Sequence, residues 1–277
     1  MTMDKRITPA RPDLAASSLK GKIAAARFAD GTDYSVARGR ASLRKAPSCD
    51  AAQETELLFG ETFTVYEEKD GWAWGQAALD AYVGYVYTIA FGTPVEPDHR
   101  VVGLMTPVLS APDVKAPLVD MLPMNALVRV AAIDAGYAMI GENAHVYAGH
   151  LLPLTRTAPD WVGVAERFVG CPYVWGGKTH CGFDCSGLVQ TALQAGGVSA
   201  PRDTDMMERE LGSPVADGID VRRGDLVFWK GHMGVMLDGA RLLHANAHHM
   251  EVAIEPLADA RTRIAETAGA VTSIRRL

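Results

Sequence analysis

The chain has 277 residues, more than one typical domain and enough for two or three with buried cores of their own. Hydrophobic content of 48% and charged content of 22% sit at globular averages, which excludes wholesale disorder. A formal net charge of −6 at pH 7, with no basic run interleaved with aromatics, argues against a nucleic-acid or anionic-membrane surface.

The N-terminal stretch carries charges and prolines where a secretory leader would place a continuous apolar segment. No apolar run approaches the ~18–20 residues that span a bilayer. A cytoplasmic protein without membrane contact is therefore expected. Four cysteines (Cys49, Cys171, Cys181 and Cys185) are too few for a disulfide scaffold, although one or two bridges stay open.

Residues 1–32 read as a polar, proline-punctuated arm with a short amphipathic piece at 19–28, lying against the first domain. Residues 33–95 then read as short strands. Apolar and polar residues alternate over 61–68, Asp70-Gly71 supplies a turn, and Trp72-Ala-Trp-Gly-Gln76 resumes the strand. A third, aromatic-rich strand follows at 82–87, and closely spaced strands without a helical period predict a small β-barrel. A weaker copy covers 96–154. Val108-Leu-Ser-Ala-Pro-Asp echoes the segment from Ala41 to Ser48, Asn125-Ala-Leu-Val-Arg-Val echoes 61–65, and Ala144-His-Val-Tyr echoes 82–87. Each copy is too small to be very stable alone. The tryptophans and tyrosines of the first copy are expected mainly in its core.

Composition changes near Thr155, and residues 155–277 read as one α+β domain. Trp161, Val164, Ala165 and Phe168 recur at helical spacing behind Asp160, a suitable N-cap. A Gly/Cys-rich loop leads to a second helix whose apolar face is Leu188, Val189, Ala192 and Leu193, ended by Gly196-Gly197. Strands are predicted at 226–229, 232–237 and 242–245.

The second helix carries the chemistry. Asp184 stands at its N-cap, so Cys185 falls in the first turn, where unpaired amides and the helix dipole favour a thiolate and can hold an oxyanion. An inert core cysteine would sit on the apolar face, and Cys185 precedes it. A nucleophilic thiol needs a base, itself oriented by a third group. His232 and His244 supply both if the hairpin between them has an odd-length loop that sets them opposite each other on one face. A tight two-residue Asp238-Gly239 turn would put them on opposite faces. Cys171, Cys181 and Cys185 with His180 have zinc chemistry but no Cys-x-x-Cys unit, so no metal site is expected. Cys171 and Cys181 read as structural thiols, and His145, His150, His248 and His249 as surface residues.

Asp184-Cys-Ser-Gly-Leu-Val, Arg223-Gly-Asp-Leu-Val-Phe-Trp, His232-Met-Gly-Val-Met-Leu-Asp-Gly and Leu243-His-Ala, in that order, resemble the NlpC-type cell-wall peptidases. The resemblance covers about 155–277. It implies a papain-like cysteine peptidase that cuts the γ-D-glutamyl–diamino acid bond of peptidoglycan peptides without a cofactor. By it, Cys185 is the nucleophile, His232 the general base and acid, and His244 the residue that orients His232. Tyr173 matches the family's tyrosine near the oxyanion, and Asp184 and Ser186 match positions lining the substrate. The upstream copies then resemble bacterial SH3-like barrels, as in relatives that recycle free murein peptides with an N-terminal L-alanine. Glu61 and Tyr82 are the matches for the side chains that hold the substrate's amino end. Met207 departs from the pattern, standing where many relatives carry glutamine. Two rival readings stay open: an amidase or acyl transferase on the same scaffold, and a non-catalytic wall-binding module.

Overall fold

A computed structural model describes residues 3–216 and 218–277, so the first two residues of the expected arm lie outside the described residues. The chain divides between Thr155 and Arg156 into two compact units.

The first unit opens with the arm. Strand β1 (Leu14–Ala16) pairs in parallel with β2 (Arg27–Ala29), and the expected amphipathic piece at 19–28 is mostly turn and irregular chain between a 3-10 turn at Ser17–Leu19 and β2. The arm is tied to the strands that follow: the Gln76 side chain donates to the Ile7 carbonyl, and the Val83 amide donates to the Arg6 carbonyl.

Seven strands follow: β3 (Thr32–Val36), β4 (Arg40–Arg44), β5 (Gln53–Leu58), β6 (Thr62–Lys69), β7 (Trp72–Ala77), β8 (Val83–Tyr87) and β9 (Phe91–Gly92). They form one sheet in the order β5-β4-β8-β7-β6-β3-β9. Period-2 alternation in β6 buries Phe63 and Val65 between half-exposed threonines, beside Leu43, Leu57 and Val86. At the β6–β7 turn, Asp70 and Gly71 both take positive φ (51° and 81°), the backbone that a two-residue hairpin demands.

The second copy has β10 (His99–Val101), β11 (Met105–Leu109), β12 (Leu118–Pro123), β13 (Leu127–Val128), β14 (Ala132–Asp134), β15 (Tyr137–Gly141), β16 (Ala144–Tyr147) and β17 (Leu151–Pro153). Its pairings repeat the first: β10 with β13 and β17 as β3 with β6 and β9, and β11 with β12 and β16 as β4 with β5 and β8. The counterpart of the long β6 is broken into β13 and β14, where the Val130 amide turns away to the Asp98 carboxylate. Five- and three-stranded sheets result. Closed barrels were expected, and here the structure differs. The described strands form open sheets, and β5 and β9 end the first sheet without pairing to each other.

The second unit contains α1 (Trp161–Glu166), β18 (Lys178–Thr179), β19 (Gly182–Phe183), α2 (Cys185–Ala195), α3 (Thr204–Glu210), β20 (Ser213–Pro214), β21 (Leu226–Trp229), β22 (His232–Met236), β23 (Arg241–Asn246), β24 (Glu251–Pro256), α4 (Leu257–Ala268) and β25 (Ser273–Arg276). Its six-stranded antiparallel sheet runs β20-β25-β21-β22-β23-β24, with α2 packed on β22 and β23. Helix α4 lays Leu257, Ala260 and Ile264 on Val227, Trp229, Met236 and Leu242. The Arg223-Gly-Asp stretch is a structural corner. Arg223 reaches Asp160 (2.9 Å) and Glu166 (2.5 Å) at the two ends of α1, while buried Asp225 receives both arms of Arg276 at 2.7 Å. Among the described residues, no helix is long and apolar enough to cross a membrane.

Candidate active site

Cys185 is the first residue of α2, and the helix start is rigidly built. Asp184 Oδ1 accepts the Gly187 amide at 2.7 Å, and Oδ2 accepts the Gly176 amide at 2.9 Å. Arg202 grips the same carboxylate with both arms, at 2.9 and 2.7 Å, and also donates to Ser186 Oγ at 2.9 Å. The side chains of Arg202 and Asp184 are 1% and 9% exposed. Asp184 and Ser186, which the resemblance places along the substrate, are therefore members of a buried network that fixes the nucleophile's helix. Gly187 is required by close approach, since a Cβ there would lie 2.1 Å from the Gly177 carbonyl oxygen.

The Cys185 thiol itself is almost buried, 3.6 Å from Thr204 Oγ1 and hydrogen-bonded by the Met233 backbone amide. Met233 follows His232 in β22, so the strand that carries the expected base touches the thiol.

The structure brings His232 and His244 together. His232 Nε2 lies 2.8 Å from His244 Nδ1. The route differs from direct opposition. Val235 pairs with Leu243 and Met236 with Leu242, which leaves Asp238-Gly-Ala240 as a three-residue loop. The odd length keeps both histidines on one face, but the same register sets His244 opposite Gly234 and diagonal to His232. Gly234 makes that diagonal short. A Cβ on it would stand 3.0 Å from His244 Cβ and 2.9 Å from Leu242 Cδ1, so its absence lets the His244 ring lean towards His232.

Beyond His244 the chain of contacts continues. His244 Nε2 lies 2.7 Å from Glu255 Oε1, and Glu255 is ion-paired to Arg263 of α4. Sequence reasoning missed Glu255, Arg263, Arg202, Thr204 and Gly234. Arg202 and Thr204 lie in one short stretch with Asp203, but nothing local ties that stretch to Cys185. Glu255 pairs in register with Leu242, and only the β23–β24 ladder places it diagonal to His244.

Burial governs the charges here. It pushes the Cys185 thiol up, assisted by neighbouring Asp184 and opposed by Thr204, the Met233 amide and Arg202. It pulls His232 down to about 3, assisted by His244 and Arg263. His244 is lowered by burial against the opposing pull of Glu255. The helix start favours a thiolate, as its sequence suggests, but burial works against it. Tyr173, bridged to Phe183 and donating its amide to the Met250 carbonyl, is half-buried. Burial, with the neighbouring Cys185 and Asp184, pushes its phenol up to about 12, so it remains a hydrogen-bond donor beside the thiol.

Glu61 and Tyr82 belong to the first unit, and both are nearly buried. Glu61 Oε2 accepts the Leu58 amide at 3.0 Å, and the Tyr82 hydroxyl lies 3.5 Å from Glu54. Cys49 and Cys181 are exposed free thiols, and Cys171 is half-buried. The donor set closest to metal chemistry among the described residues is His244, His249 and Glu255, with one ligand atom each inside 4.8 Å. Two of its members are already committed to the hydrogen bonds above.

Comparison with known proteins finds relatives of this unit. Residues 170–265 match the NlpC/P60 family, and residues 43–90 match the bacterial dipeptidyl-peptidase SH3 domain. Most of the second unit is thus similar to an NlpC/P60 domain. The chain is 27% identical over 228 residues to a gamma-D-glutamyl-L-lysine dipeptidyl-peptidase of Bacillus subtilis, covering 69% of this chain and 72% of that one. It is 26% identical over 244 residues to dipeptidyl-peptidase 6 of Lysinibacillus sphaericus, covering 78% and 89%. In fold it is similar to the crystal structure of an NlpC/P60 family protein from Bacillus cereus, with a TM-score of 0.74 at 18% identity, covering 88% of this chain and 99% of that one. The NlpC/P60 match spans Cys185, His232, His244, Glu255 and Arg263 together.

Proposed function

We propose that this protein is a cysteine endopeptidase that hydrolyses the γ-D-glutamyl–diamino acid bond of peptidoglycan peptides. The observation that carries the reading is Cys185 at the first turn of α2, against the strand whose first residue, His232, is hydrogen-bonded to His244. The name of the Bacillus subtilis relative, a gamma-D-glutamyl-L-lysine dipeptidyl-peptidase, supports the γ-D-glutamyl bond as the one cleaved.

Sγ of Cys185 attacks the γ-carbonyl carbon while its proton passes to His232. In this reading the backbone amide at the start of α2 and the Tyr173 hydroxyl hold the oxyanion. Collapse expels the diamino acid's amine, which takes the proton from His232. Water, deprotonated by the same imidazole, then cleaves the thioester and restores the thiol.

The finer reading is a cytoplasmic enzyme of cell-wall recycling, acting on free murein peptides with N-terminal L-alanine. It assigns Glu61 and Tyr82 to the substrate's ammonium group, although the Glu61 carboxylate already accepts an amide. Mass spectrometry of L-Ala-γ-D-Glu-diaminopimelate with wild type and Cys185→Ala tests the whole reading. Release of L-Ala-γ-D-Glu by wild type alone supports it, and release by both proteins refutes Cys185 as nucleophile. Equal cleavage of the N-acetylated peptide would remove the free-amine requirement and leave the peptidase intact.

A further inference from the structure

The geometry points to Glu255, held by Arg263, as a positioning residue that sets the tautomer of His244 and thereby aims the free lone pair of His232 at Cys185. The inference rests on the peptidase reading for its kinetic readout only.

Hydrogen-bond accounting carries it. Glu255 Oε1 stands 2.7 Å from His244 Nε2, and the Arg263 guanidinium is on the same carboxyl group. A carboxylate so paired is held below its usual range and has no proton to give, so the proton in this contact belongs to His244 Nε2. A neutral imidazole carries one N–H, and burial keeps His244 neutral, so its Nδ1 is an acceptor. The 2.8 Å contact between His244 Nδ1 and His232 Nε2 then has only one polarity, with His232 Nε2–H donating. The lone pair of a neutral His232 is left on Nδ1, the one ring nitrogen free to take the thiol proton. In the opposite polarity, His232 Nε2 would be an acceptor and Nδ1 would carry hydrogen, leaving no base for Cys185.

The groups facing this relay are His232 on β22, His244 on β23, His249 in the β23–β24 turn, Glu255 on β24 and Arg263 on α4. His249 is hydrogen-bonded to Asn246 through Nδ1, so Glu255 is the anion that breaks the symmetry of His244. The charge of Glu255 is needed for this, because a neutral amide at the same place can present N–H or oxygen to His244. Arg263 does not touch His232 through a hydrogen bond; its part is to keep Glu255 ionised and in place.

The test uses the full chain labelled with 15N-histidine. In wild type, His244 is expected as the Nε2–H tautomer and His232 likewise as Nε2–H. Glu255→Gln is expected to mix the His244 tautomers and to lower kcat roughly 10- to 100-fold with KM nearly unchanged, less than the ~10⁴-fold loss when the carboxylate touching a catalytic histidine is neutralised. A structural role alone would lower stability without moving the tautomer. Glu255→Asp is expected to retain the tautomer and recover part of kcat. Finding His244 as Nδ1–H in wild type, or an unaltered kcat in Glu255→Gln, overturns the inference. If wild type fails to cleave the peptide at all, the peptidase reading fails, while the tautomer measurement still judges this one.

Discussion

The two units store polar groups differently. The strand-rich first unit builds its cores mainly from Val, Leu, Ala and Phe63. Its most connected cation, Arg11, sits at a surface cleft, bonded to Asp13, Glu67 and Tyr85 and lying 4.5 Å over the Trp74 ring. The second unit instead buries Arg202 with Asp184, sets Asp225 under Arg276, and places His244 wholly inside. Buried charge is expensive unless fully paired, so a fold that retains it commits those residues to one arrangement. The first unit buries the Glu56 and Glu61 carboxylates beside its apolar cores, whereas the second buries a guanidinium and a histidine as well and spends part of its interior on holding a nucleophile and its base.

Breaking that arrangement gives the largest expected effect. Arg202→Ala leaves Asp184 buried without its guanidinium and should destabilise the second unit by roughly 3–5 kcal/mol. Hydrogen exchange should accelerate in α2 and α3 and remain unchanged in β6 and β7. A uniform rise in both units would erase the contrast.

Gly234→Ala comes next. Its Cβ would push against His244 and Leu242, and a displacement near 1 Å should cost kcat about 10²-fold while far-UV dichroism stays native. Full activity would mean that the diagonal needs no such gap.

The contrast also has a pH signature. His232 and His244 are depressed in the fold, so below about 6.5 the unfolded chain binds protons that the native chain does not. Stability is complete above that pH and is lost as pH falls towards 3. Between pH 6.5 and 5.5 the loss should be about 1 kcal/mol for each fully depressed histidine, read by urea unfolding. His232→Gln should flatten the dependence.

Arg11→Ala has the smallest expected effect. Its ion pairs are near the surface, and about 1 kcal/mol of stability in the first unit is expected to be lost, less in high salt. A loss as large as that from Arg202→Ala would show the first unit to depend equally on charge.

What was legible in the sequence follows the range of the interactions. Cys185 could be placed because an N-cap and a helical apolar face are local signals, and Asp184 does cap α2. The shared face of His232 and His244 was legible only as a condition, an odd-length loop in place of a two-residue Asp238-Gly239 turn, and the structure supplies that loop. Their diagonal offset was not legible, since it turns on which residues of β22 and β23 pair around the Asp238 loop. Glu255 and Arg263 were out of reach because β24 and α4 meet the histidines only through tertiary packing. The same limit applies to the first unit. Two similar copies were readable from recurring strand segments, and their pairings correspond strand for strand. Whether sheet edges close on each other is a long-range outcome, and the break between β13 and β14 lies in a stretch whose sequence carries no turn signal strong enough to reveal it.

The central claim is that Cys185 forms the covalent bond to the substrate. Acid-quenching the wild-type protein during turnover of L-Ala-γ-D-Glu-diaminopimelate, followed by peptide mass mapping, tests it directly. The expected result is an L-Ala-γ-D-Glu acyl group on the peptide containing Cys185, absent from Cys185→Ala. Continued turnover by Cys185→Ala, with no acyl group on that peptide in wild type, would contradict it.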